Sequence, residues 1–93
     1  MDASVLHHGL TEYVNALRRQ LSDMREQGER MAAIWGRTRE VYQGRGAEDF
    51  RDAYERSARM LEHYVAALEV MIPILEERLR SLGRFDSGAD PGI

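Results

Sequence analysis

Mostly apolar residues recur along the first half of the chain in alternating steps of four and three: Leu10, Val14, Leu17, Leu21, Met24, Gly28, Met31, Trp35, Thr38 and Tyr42. That spacing keeps one face of a helix turned towards a partner, and residues 10–42 would span roughly 50 Å at 1.5 Å per residue. The second half repeats the pattern at Leu61, Val65, Leu68, Ile72, Leu75, Leu79 and Leu82, with Phe50, Tyr54 and Ala58 leading in. Folding the chain between Gly44 and Arg45 sets the two seams opposite each other. Leu10 then meets Leu79, Leu17 meets Ile72, Leu21 meets Leu68, Gly28 meets Leu61, and Trp35 meets Tyr54. Large faces small at Gly28 and again at Ala58, as interdigitating layers require.

The expected fold is therefore all-α. It is an antiparallel helix-turn-helix hairpin, with helix 1 about 5–42, a turn at 43–46 and helix 2 about 47–82. Gly44 and Gly46 can take backbone angles that a Cβ disfavours, so they end one helix and reverse the chain. Glu48 and Asp49 put negative charge in the first turn of helix 2, where the helix dipole favours it. Gly83 reads as a C-cap closing a single domain at 1–83, and the aperiodic 84–93, "RFDSGADPGI" after Gly83, reads as a flexible tail. Pro73 removes one helical hydrogen bond and predicts a kink without a break.

Two antiparallel helices cannot cover every apolar position here. A second row on helix 2, Met60, Tyr64, Ala67, Met71 and Ile74, lies beside the seam, and helix 1 adds Leu6, Tyr13, Ala32 and Ile34. Exposed rows of this kind mark an interface, and a second hairpin completing a four-helix bundle is the economical cover. The dimer interface is accordingly expected at Met60, Tyr64, Ala67, Met71, Ile74 and Tyr13. Acid-before-base pairs at i, i+4 (Glu26/Arg30, Asp52/Arg56, Glu55/Arg59, Glu76/Arg80) read as a solvated surface.

Composition narrows the chemistry. Ninety-three residues make one small domain, of a size that often needs a partner. Cysteine is absent, which excludes disulfides and thiolate metal sites. The net charge of -3 argues against a general nucleic-acid binder, and the 13 basic residues, all Arg, are interspersed with acids, which disfavours membrane binding by an amphipathic helix. No stretch is long and apolar enough to be inserted stably in a membrane. The start "MDASVLHHGL" lacks a basic region and a sustained apolar region, so it does not read as an ordinary signal peptide.

Candidate catalytic and ligand sites each have a plainer reading. His7 and His8 point different ways on a helix and His63 has no evident partner, so surface histidines are favoured over metal ligands. Gly44-Arg45-Gly46 precedes a helix, where an anion could sit, but it follows a helix and not a strand, so a turn is favoured. Trp35, Tyr54 and Tyr64 have the helical spacing of core or interface residues. No grouping of Ser, His and Asp suggests a catalytic site. An enzyme is not expected, nor any cofactor.

A hairpin of this length with an aromatic-X-Gly step at its midpoint, here Tyr42-Gln43-Gly44, resembles the WXG family. These are small Trp-X-Gly proteins of the ESAT type, exported by type VII (ESX) secretion systems. The following "GAEDFRDAYERSARMLEHYVAAL" is similar to the family's second helix, and the resemblance covers roughly residues 5 to 82. It implies a homodimer, or a heterodimer with a sister WXG protein, delivered to a type VII secretion ATPase and secreted without a cleavable signal peptide. It also implies a role as substrate, adaptor or effector partner, with Tyr42, Gly44 and Gly46 as the turn motif. Two features depart from the family. Tyr stands for the signature Trp, and no Tyr-X-X-X-Asp/Glu follows helix 2, because Tyr64 leads to Leu68 and Phe85 to Ala89. The alternative is an intracellular helical dimerisation module, such as the interaction domain of a regulator or a chaperone for a larger exported protein.

Overall fold

Packing along the paired seams produces two helices, α1 (Ala3–Val41) and α2 (Arg45–Asp86), in a computed structural model that describes residues 3–41 and 44–86 and the side chains of 4–41 and 44–83. No strand occurs among the described residues. Gly44 carries the reversal, with φ of 94°, the only positive φ among the described residues. Its carbonyl accepts hydrogen bonds from the N–H groups of Ala47 (3.1 Å) and Glu48 (3.2 Å), which closes the first turn of α2. Glu48 brings a negative charge to that turn and Arg39 a positive one to the last turn of α1, both with the sign the dipole favours.

The helices run antiparallel in the register that the seams predict. A Cβ added to Gly28 would lie 3.1 Å from Leu61 Cδ2, so Gly28 faces Leu61 at close range. The Trp35 and Tyr54 rings stack, with centroids 5.5 Å apart. The buried core is small and off-centre: Val14, Leu17, Leu68 and Ile72 are buried, with Leu21, Met24, Leu75 and Leu79 packed against them. Seven of the eight lie in the half of the hairpin remote from the turn, and Met24 lies just past the middle. Towards the turn, Met31, Trp35, Tyr54, Ala58 and Leu61 are only half-buried.

Several boundaries differ from expectation. α2 starts at Arg45, which puts Gly46 inside its first turn, so the reversal needs one glycine and not two. α2 also runs past Leu82 and through Gly83 to Asp86. The reason is the matching length of α1, which begins at Ala3 and brings His7 against Gly83; a Cβ there would sit 3.8 Å from His7 Nε2. A helix persists while it has a surface to pack on, and this contact outweighs the C-cap tendency of glycine. Pro73 sits inside α2 without ending it. Tyr42, Gln43 and 87–93 of the expected tail lie outside the described residues.

Candidate functional site

Each helix has two flanks beside its seam, and in an antiparallel pair like flanks meet. The first flank is charged. Arg18 of α1 pairs with Glu76 of α2, and one heptad along each helix Arg25 pairs with Glu69 at 3.1 Å. Ser22, Glu26 and Glu29 join these residues along an open groove of about 710 Å³ that also touches Pro73. Of the surface pairs expected from spacing, Glu26–Arg30 forms at 3.3 Å. Glu76 and Arg80 do not pair. Glu76 reaches across to Arg18, and Arg80 donates to its neighbour Glu77 at 3.0 Å. The interhelical option wins for Glu76 because the opposite flank places a guanidinium within reach, which spacing on one helix cannot reveal.

The second flank is apolar. Met60 (73% exposed), Tyr64 (56%), Met71 (39%) and Ile74 (52%) stand open on α2 with the exposed Ala67 among them. On α1, Leu6, Tyr13 and Ile34 are also exposed. The row extends further than expected: Phe50, Ala53 and Ser57 continue the three-and-four spacing back to the start of α2. Phe50 had the look of a seam residue. It is instead exposed on this flank, with its ring centroid 5.5 Å from that of Trp35. Its four-residue step to Tyr54 suits the seam, but its steps of three and seven to Ala53 and Ser57 put it equally in the row. At the turn end Met31, Ile34, Phe50, Ala53, Tyr54 and Ser57 line an apolar groove of about 270 Å³. No charged residue occupies the row from Phe50 to Ile74.

The remaining candidates are dispersed. His8 lies 3.3 Å from Glu12, and His7 packs beside Gly83 at the far end from the turn. His63 is exposed. Among the described residues no three His, Asp or Glu side chains are grouped to hold a metal ion, and no polar or charged side chain is buried. No helix among them is long and apolar enough to cross a membrane. Of the turn motif, Gly44 adopts the left-handed conformation, Gly46 is helical, and Tyr42 is outside the described residues.

What this arrangement offers chemically is contact area: one flank whose α2 row is uncharged, backed by one ion-paired flank. Comparison of the chain with protein-family models, with curated proteins and with solved structures gives no match.

Proposed function

We propose that the chain is a small WXG-type protein that associates through its apolar flank into a four-helix bundle and is exported folded by a type VII (ESX) secretion system. It would act there as substrate, adaptor or effector partner. The observation that carries this reading is the continuous uncharged row from Phe50 to Ile74, exposed on a hairpin that reverses at Gly44. A row of this length on a soluble surface marks an interface, and covering it with a second hairpin yields a bundle. The aromatic-X-Gly step at the reversal supports the family reading. Work is done by shape and surface, without catalysis, cofactor or nucleic acid, and the second hairpin is another copy or a sister protein. Because the chain lacks a Tyr-X-X-X-Asp/Glu motif, the export signal would be completed by that partner or by 84–93.

The test follows a tagged chain in culture supernatant of the native host, with and without its type VII ATPase. Export that needs the ATPase and is lost in Tyr64→Glu/Met71→Glu supports the reading. A chain that stays wholly inside the cells of both strains, even with its genomic neighbour co-expressed, overturns it and leaves the intracellular dimerisation module.

A further inference from the structure

We infer that the hairpin is built in two parts that open separately. The turn half, about residues 28–62, unfolds and refolds locally while the half remote from the turn stays closed. The inference concerns the seam inside one chain and does not depend on what covers the apolar flank.

A hairpin ordinarily frays from its free ends, because the turn tethers the other two ends to each other. Here the burial runs the other way. The buried residues Val14, Leu17, Leu68 and Ile72 lie towards the free ends. Towards the turn the seam is only half-buried at Met31, Trp35, Tyr54, Ala58 and Leu61. Local stability follows buried apolar contact, so the tethered end is the weaker one.

The charged flank breaks at the same level. α2 carries a glutamate every seven residues, at Glu55, Glu62, Glu69 and Glu76, and the register sets Arg39, Ala32, Arg25 and Arg18 opposite them. The rungs remote from the turn, Arg18–Glu76 and Arg25–Glu69, are ion-paired. The next rung has Ala32 where a guanidinium would stand. On the last, Arg39 and Glu55 line one open groove and form no ion pair among the described residues. Exposed pairs contribute little energy, but they stop where the burial stops.

α1 is also weakest there. Gly28 and Gly36 both lie in its turn half, and a glycine inside a helix costs backbone entropy. Gly28 has a packing reason, since Leu61 lies 3.1 Å from where its Cβ would be. Gly36 has none, with nothing within 4 Å of a Cβ built there. When this half opens, the folded half holds its ends together and closes the loop. The seam faces of Met31, Trp35, Tyr54 and Leu61 then turn to solvent. A partner that prefers them exposed shifts the hairpin towards the open form by as much as that preference.

Amide hydrogen exchange of the full chain, corrected for intrinsic rates and read peptide by peptide in a mass spectrometer, tests this. Residues 31–58 are expected to exchange at least roughly tenfold faster than 10–24 and 65–79. Ile72→Val loosens the distal core and should speed exchange there roughly two- to tenfold. It should leave 31–58 within about twofold of the unmodified chain, because the open form keeps Ile72 packed. Gly36→Ala should slow exchange about fourfold in both halves, since local and global opening both unfold residue 36. Equal protection of the two halves, equal speeding of both by Ile72→Val, or a turn half that Gly36→Ala does not slow overturns the inference.

Discussion

On one flank of this hairpin, Arg18 reaches Glu76 and Arg25 reaches Glu69 across the two helices. On the other, Ile34 and the row from Phe50 to Ile74 face outward with no charge among them. Both flanks border the same seam and are open to solvent, yet only the first satisfies itself within one chain. The ion pairs let water cover that side at little cost and help to set the register. The apolar side gains nothing from water, and in the proposed bundle another surface covers it. The seam between the flanks holds the hairpin together, the ion-paired flank adds little to it, and the apolar flank is the one the proposed function uses.

Substitutions separate the two. The largest effect is expected from charge on the apolar side: Tyr64→Glu with Met71→Glu should weaken association at least 100-fold, since an unpaired charge in a covered interface costs several kcal/mol. Sedimentation reads this, and Arg25→Glu on the other flank serves as the control that leaves association intact. Next comes the seam that both flanks share. Leu68→Ala, at a site 3% exposed, should cost about 2–5 kcal/mol in denaturant unfolding, because the lost contacts and residual cavity add.

A smaller effect belongs to the turn. Gly44→Val forces a β-branched residue to a φ of 94° and should cost about 1–3 kcal/mol. Gly46→Ala, in the first turn of the helix, should instead be neutral or stabilising, by less than the roughly 0.5–1 kcal/mol of a mid-helix glycine. Thermal melts of the two variants shifting in the same direction would contradict the assignment of the reversal to Gly44. The smallest effect is on the charged flank. Arg25→Ala should cost less than about 1 kcal/mol, because both partners are about half exposed, and the difference should vanish in high salt as screening removes the attraction.

The hairpin and its register were readable because periodic seams constrain each other: once Leu17 is set against Ile72, the pairings Gly28–Leu61 and Trp35–Tyr54 follow from the helical repeat. Boundaries were less readable. Gly83 has the residue type of a helix end, but the sequence does not show that His7 will pack beside it and prolong α2. Gly46 likewise has a turn residue's identity in a helix whose first turn one glycine already closes. The candidate site was legible at its centre, from Met60 to Ile74, where apolar residues stand out at polar-facing positions. It was not legible at Phe50, whose spacing satisfies both the seam and the row and whose burial depends on the position of Trp35. The cross-helix pairs Arg18–Glu76 and Arg25–Glu69 were hidden because pairing rules on a single helix offered nearer partners.

The central claim is that the apolar flank is covered in the working protein, whoever covers it, and methionine oxidation measures this directly. Met60 and Met71 lie in the row, whereas Met24 packs against the core and serves as an internal reference. Oxidation rates are read by mass spectrometry in cells of the native host and compared with those of a free methionine peptide. The account predicts that Met60, 73% exposed in the single chain, oxidises in cells as slowly as Met24, and Met71 with it. Rates at Met60 and Met71 close to that of the free peptide, with Met24 protected, would contradict it.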